Sequence, residues 1–170
     1  MDKTLETERL LIADWTPEDV EAAFQIYGDP QVMAPMQGQP IETLEEQHQR
    51  LTDRCKAMEV LPGYGFCKLI RKDDGQIVGS GILKPLPNSD WIEVGWHLRS
   101  DCWGQGYATE AGKALLDYGF GDLGLDRIYA IVHPLNEPSK RVALRLGMRL
   151  LGLTTQFYNM ELELYATDKA

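Results

Sequence analysis

The sequence predicts a single α/β domain, residues 1–170, built on a mixed and mostly antiparallel sheet. Strand-like and helical segments follow one another as β-α-α-β-β-β-α-β-α-β-β, the alternation of an α/β unit. Residues 64–71, 76–83 and 91–98 are joined by short connections, as in a meander, whereas 126–133 holds the unbroken apolar run of a buried parallel strand. No repeat, low-complexity tract or linker divides the 170 residues, enough to bury roughly two thirds of the unfolded surface.

The elements follow in order. Thr4 to Ala13 reads as one strand ending in an apolar run. Thr16-Pro17-Glu18-Asp19 opens a helix with a hydroxyl cap, proline at the first position and acids in the first turn. Val20, Ala23, Phe24 and Tyr27 continue it at helical spacing, and Gly28-Asp29-Pro30 stops it. After the uncharged loop Pro35 to Pro40, Thr43-Leu44-Glu45-Glu46 is a capping box that starts a helix to about Met58. Its outer face, rich in Glu, Gln and Arg, reads as solvated. Lys72-Asp73-Asp74-Gly75 turns a hairpin between Tyr64–Arg71 and Gln76–Leu83.

From Trp91 to Leu98 the strand alternates cleanly, with Ile92, Val94, Trp96 and Leu98 on one face and Glu93, Gly95 and His97 on the other. Gly95 inside it signals a bulge or a close backbone approach. A helix from about Tyr107 to Leu123 presents Ala108, Ala111, Leu115 and Tyr118 on one stripe, and Gly124 ends it. Asp126 to His133 is the buried strand. Asn136 then caps a helix that Gly147 terminates. Leu150–Leu153 and Met160–Tyr165 read as closing strands, and residues 167–170 as a frayed tail.

Bulk properties narrow the function. A net charge of −9 repels nucleic acid and anionic membranes and favours a cationic partner such as an amine. No stretch approaches the ~20 apolar residues that cross a bilayer, and the opening residues lack a signal-peptide core. Cys55, Cys67 and Cys102 form no C-x-x-C, as expected of reduced thiols in the cytoplasm. His48, His97 and His133 stand too far apart to suggest a metal site. The terminal strands leave both a monomer and a homodimer open.

The chemistry concentrates in Arg99-Ser100-Asp101-Cys102-Trp103-Gly104-Gln105-Gly106-Tyr107-Ala108-Thr109-Glu110-Ala111, between the 91–98 strand and the next helix. Two near-adjacent glycines let backbone N–H groups converge where the positive end of the helix dipole lies, a setting for phosphate or pyrophosphate. The same residues also make an ordinary strand–turn–helix junction. A Walker A loop is excluded because no Gly-Lys-Ser/Thr follows, and G-x-G-x-x-G because position 109 is Thr.

This stretch resembles the acetyl-CoA-binding motif of the GNAT superfamily of N-acetyltransferases, in which Gln/Arg-x-x-Gly-x-Gly/Ala wraps the pyrophosphate. Trp103-Gly104-x-Gly106-Tyr107-Ala108-Thr109-Glu110-Ala111 is similar to the branch that acetylates ribosomal-protein N-termini, which also holds polyamine and antibiotic acetyltransferases. Thr7-Glu8-Arg9-Leu10, Asp29-Pro30-x-Val32-Met33 and Asn136-x-x-Ser139 with Leu146-Gly147-Met148 carry the same resemblance. Asp101 departs from the pattern, standing where the superfamily prefers Gln or Arg, although backbone amides make the cradle.

The resemblance implies a GNAT fold with splayed central parallel strands flanked by about four helices. It also implies transfer of an acetyl group from acetyl-CoA directly to a primary amine. Cys102, Trp103, Gly104, Gln105, Gly106, Tyr107 and Ala108 would hold the pyrophosphate, and the backbone of Trp96, His97 and Leu98 the pantetheine arm and thioester carbonyl. Asn136 would contact the pantetheine amide, and Lys140 or Arg141 the 3′-phosphate unless they are a solvated face. Glu93 is the expected base, directly or through a water, with His97 as the alternative. Ser139 is the expected acid, with Tyr158 as the alternative.

Acceptor choice would sit in 34–42, 43–58 and 154–160. The expected acceptor is a peptide or protein N-terminal amine, with a polyamine or other small amine as the alternative. A non-catalytic acyl-CoA-binding module is the remaining possibility, and the joint presence of Glu93, Gly104, Gly106, Asn136 and Ser139 argues against it.

Overall fold

The computed structural model describes residues 1 and 3–170. Eight strands form one sheet: β1 (Leu5–Glu6), β2 (Leu10–Asp14), β3 (Gly65–Arg71), β4 (Ile77–Pro85), β5 (Ile92–Leu98), β6 (Arg127–Val132), β7 (Arg149–Thr154) and β8 (Leu162–Asp168). The helices are α1 (Val20–Tyr27), α2 (Pro30–Met33), α3 (Leu44–Glu59), α4 (Tyr107–Gly121) and α5 (Glu137–Arg145). The spatial order is β1-β2-β3-β4-β5-β6-β8-β7. Every neighbouring pair is antiparallel except β5–β6.

Two apolar layers cover the sheet. On one face α4 packs against β4 and β5, burying Ala111, Leu115 and Tyr118 with Leu83, Val94 and Leu98. On the other, α1 and α3 enclose Trp15, Ile26, Tyr27, Leu51, Phe66 and Ile82. At roughly 25 cal/mol per Å² of buried apolar area, these two layers dominate the stabilisation.

Two expectations need correction and two are sharpened. The first strand is two, because Thr7 folds the chain back: its N–H donates to the Leu10 carbonyl at 2.9 Å, and its hydroxyl accepts from Leu10 N at 2.9 Å. Five helices replace four, since Asp29 does more than end α1: its carboxylate caps α2 by accepting from Gln31 N, with Pro30 at the first position. Gly95 makes no bulge in its ladder with β4, where the register runs unbroken from Gly79–Leu98 to Pro85–Ile92. A Cβ there would instead lie 3.3 Å from Ile82, so the glycine marks close packing. Residues 167 and 168 are not frayed but close β8, where Asp168 pairs with Arg127 and Arg149.

Candidate active site

The β4–β5 register sets the site. It places Ser80 opposite His97, Ile82 opposite Gly95 and Lys84 opposite Glu93, all on the α1/α3 face. The alternate residues, Val94, Trp96 and Leu98, face α4 as the sequence alternation predicts. On its other side β5 meets β6 through one residue pair, Glu93 with Tyr129, where the Trp91 and Tyr129 rings stack at 4.5 Å and 10°. Beyond that clasp the two parallel strands part, and the β6-facing amides of β5 lose their ladder partners. A cavity of about 510 Å³ fills the gap, walled by Glu93, Trp96 and His97 of β5, residues 130–132 of β6, and Asn136 and Ser139 of α5. It continues to Met36, Arg54 and Met58 on the other side.

Glu93 is 7% exposed, and its Oε1 accepts from Lys84 Nζ at 2.9 Å and from the Tyr158 hydroxyl at 3.1 Å. Lys84 also donates to the Tyr158 oxygen at 3.0 Å, closing a triangle. Burial alone would pull the Lys84 ammonium down, but Glu93 and Tyr158 more than offset it and hold its pKa up. Burial and the Glu93 charge raise Tyr158, so its phenol stays protonated. Oε2 of Glu93 has no hydrogen-bond partner among the described residues.

His97 is held differently. The Tyr27 hydroxyl donates to Ser80 Oγ at 2.8 Å, and Trp15 Nε1 donates to the same oxygen at 3.2 Å. With its proton given to Ser80, the Tyr27 oxygen accepts from His97 Nδ1 at 3.1 Å, which leaves Nε2 as the ring's acceptor. Burial first, then the charges of Arg54 and Lys84, push the imidazole down to about 3, so His97 is neutral at physiological pH.

Across the gap, Trp96 Nε1 donates to Ser139 Oγ at 3.1 Å, and the Asn136 side chain accepts from Ser139 N at 3.2 Å as the cap of α5. With one lone pair occupied by the indole, the Ser139 hydroxyl keeps its own proton to donate.

The glycine turn stands outside this cavity, at the start of α4. Gly104 and Gly106 adopt φ of +74° and +84°, which only glycine takes at little cost. A Cβ at Gly104 would meet nothing within 4 Å, so backbone conformation and open approach, not crowding, require the glycine. No side chain caps α4 at Gly106, leaving the N–H groups of its first turn to an external anion. The turn therefore fits a pyrophosphate. Asp101, the departure from the motif, pairs with Arg99 at 2.6 Å, which neutralises an acid beside that anion site. Burial raises the Cys102 thiol, which excludes a stabilised thiolate there.

The structure adds residues that sequence reasoning missed. Arg9 donates from Nε to Glu110 Oε2 at 2.7 Å and from Nη1 to the Gln105 carbonyl at 2.9 Å, while Thr7 donates to Glu110 Oε1 at 2.6 Å. The Thr7–Arg9 turn thus clamps the glycine turn against the sheet. Lys84 lies one residue beyond the predicted 76–83 strand, and only the observed β4–β5 register sets it opposite Glu93. Arg54 falls at helical spacing with Leu51, Cys55 and Met58, at the edge of the buried stripe of α3, though it is itself exposed. Tyr27, read as an ordinary helix position, had no such signal. Lys140 turns inward to Glu137, Glu163 and the Pro134 carbonyl, whereas Arg141 has no ion pair among the described residues.

A parted parallel strand pair beside an uncapped glycine turn describes an acyl-CoA-dependent transferase, and comparison with known proteins agrees. The acetyltransferase (GNAT) domain matches residues 9–149, and the chain belongs to that family. It is 29% identical over 156 residues to the uncharacterized N-acetyltransferase p20 of Bacillus licheniformis, covering 91% of this chain and 87% of that one. The GNAT acetyltransferase structure from Bacillus anthracis superposes with a TM-score of 0.81 at 28% identity, over 98% of both chains. RimL, a ribosomal L7/L12 α-N-protein acetyltransferase in complex with coenzyme A, shares the fold at a TM-score of 0.79 and 17% identity, again over 98% of both. The protein is an acetyl-CoA-dependent N-acetyltransferase.

Proposed function

We propose that this enzyme acetylates the N-terminal amine of a peptide or protein, seated in the cavity between α3 and the parted strands, by direct transfer. The observation that carries the reading is the continuity of that cavity. It runs from Met36 and Met58 through the β5–β6 gap to Ser139, so acceptor and acyl donor enter from opposite sides and meet beside Glu93. Acetyl-CoA, when bound, supplies the activated acetyl group.

The chain's own residues do the rest. The turn from Cys102 to Ala108 binds through backbone N–H groups, and Asn136 and the β6-facing amides of Trp96 and Leu98 orient the arm, while the His97 amide stays in the ladder with β4. Glu93 Oε2 takes the amine proton, directly or through a water, while Lys84 and Tyr158 fix the carboxylate through Oε1. The neutral Nε2 of His97 is the alternative acceptor of that proton. Ser139, oriented by Trp96 and Asn136, returns a proton to the departing thiolate.

An α-amine suits a base already shared with a lysine. Its reference pKa of about 7.7–8.0 leaves an appreciable neutral fraction at pH 7, against almost none for an alkyl amine near 10.4. The polyamine reading rests on the net charge of −9.

Thiol release from acetyl-CoA, with peptides and spermidine in parallel, tests the proposal. Peptides support turnover, and Glu93→Gln lowers kcat by about 10²–10⁴-fold while coenzyme A affinity is kept. Parental turnover by Glu93→Gln across pH removes Glu93 as base, and turnover of spermidine but not peptides removes the acceptor class.

A further inference from the structure

One charge in the acceptor cavity is left without a counter-charge. Arg54 reaches it from the third turn of α3, its guanidinium carbon 4.6 Å from the Phe66 ring centroid and 5.4 Å from that of Tyr27. No carboxylate pairs with Arg54 among the described residues, although Arg50, one turn earlier on the outer face, pairs with Glu46 at 2.9 Å. The cavity's other cation, Lys84, is matched by Glu93. Two cations, Lys84 and Arg54, face the lining's one carboxylate, Glu93, which leaves an excess of positive charge inside a protein whose net charge is −9. Arg54 is itself exposed, and on its cavity side the walls are Met58, Phe66, Ile82 and Met36, so apolar groups rather than a carboxylate flank the charge there.

The Arg54 guanidinium lies over the Phe66 and Tyr27 rings and beside the Tyr27 hydroxyl, and its remaining N–H donors are open to a ligand. That fork matches a carboxylate bidentately. Coenzyme A phosphates are not the intended partner. Their binding turn lies at the start of α4 on the opposite face of β5, whereas Arg54 lies on the α1/α3 face. The acidic exterior does not decide the matter either, since exposed charges beyond about 8–10 Å are largely screened at physiological salt.

The geometry points to an acceptor that carries a carboxylate near its amine, the carboxylate held by Arg54 and the amine directed toward Glu93. This rests on the reading above that the cavity seats the acceptor, and it narrows that reading. The carboxylate comes either from a free amino acid or from an acidic first residue of a peptide. A polyamine would bring like charge to Arg54 and is disfavoured.

Two matched pairs separate the sources: L-alanine against L-alaninamide, and Glu-Ala-amide against Gln-Ala-amide. Each is assayed for thiol release from acetyl-CoA, and for binding by calorimetry to the protein saturated with coenzyme A, in the parent and in Arg54→Gln. In at least one pair the carboxylate member is favoured by roughly tenfold or more, the worth of a hydrogen bond to a charged group, and Arg54→Gln removes most of that gap. Equal use and equal binding within both pairs, a gap that survives Arg54→Gln, no binding by any of the four, or spermidine outrunning all four overturns the assignment. A binding gap that Arg54→Gln abolishes, found without thiol release, upholds Arg54 and refutes the catalytic reading of the cavity. Thiol release with no preference does the reverse.

Discussion

The backbone of the glycine turn at 104–106 comes from chain neighbours, braced from outside by Arg9, whereas the acceptor cavity takes its walls from positions as far apart as Met36 and Met160. The turn offers backbone N–H groups, so its requirements fall on φ angles and on the absence of Cβ atoms. The cavity presents side chains, Glu93, Lys84, His97, Tyr158 and Arg54, each in contact with a partner from another element. A local device tolerates almost any residue except at its glycines. A non-local one can be re-tuned one side chain at a time, which allows one cofactor site to serve different acceptors.

The largest effect that separates the two regions is Glu93→Gln, with its loss of about 10²–10⁴-fold in kcat at unchanged coenzyme A affinity. This variant also strands Lys84, and the stability cost falls short of the roughly 3–5 kcal/mol of a fully buried pair, because the Lys84 side chain retains 26% exposure. The double variant Lys84→Met/Glu93→Gln recovers stability in urea titration without recovering turnover. Recovery of both would make the pair structural rather than catalytic.

Next in size are Gly104→Ala and Gly106→Ala, each of which forces a left-handed backbone on a residue with a Cβ, at about 1–2 kcal/mol. Coenzyme A affinity drops about tenfold by calorimetry if the bound state bears that cost, and the ratio of kcat/KM between peptide acceptors stays put. A changed acceptor ratio would mean that the two regions are coupled.

The third effect is on stability and leaves coenzyme A affinity aside. His97 titrates near 6.5 when unfolded and at about 3 when folded, so between those values the unfolded chain binds the extra proton. Stability therefore falls as pH drops through that window, by up to about 1.4 kcal/mol per pH unit. His97→Gln flattens the slope of urea midpoints between pH 6.5 and 5, and an unchanged slope would place the effect elsewhere.

What was legible in the sequence follows the same division. The caps at Thr16, Thr43 and Asn136 and the turn at 104–106 depend on residues within one turn of each other, so their chemistry is written where it acts. The alternation of β5 was legible because a strand's two faces repeat every second residue. The break at Thr7 was not, because a hydroxyl–backbone turn competes with strand propensity without a glycine or proline to mark it. Neither was the Tyr27–His97 contact, which spans 70 residues and exists only once α1 lies across β5. Glu93 was found as a polar residue on a cleft-facing strand. Its engagement by Lys84 needed the β4–β5 register, and its engagement by Tyr158 needed the fold.

The order β6-β8-β7 sets a sequence of events during synthesis. β8 lies between β6 and β7 and pairs with both, yet it is the last strand to be made. Until residues 162–168 have emerged, β6 has one edge open and one wall of the acceptor cavity has nothing to brace it. The cofactor turn and the β2–β5 ladders need only residues made earlier. In this order the glycine turn and the β2–β5 ladders can be complete before β6 is paired on its β8 side, so the cavity wall at residues 130–132 is the part that waits for residues 162–168.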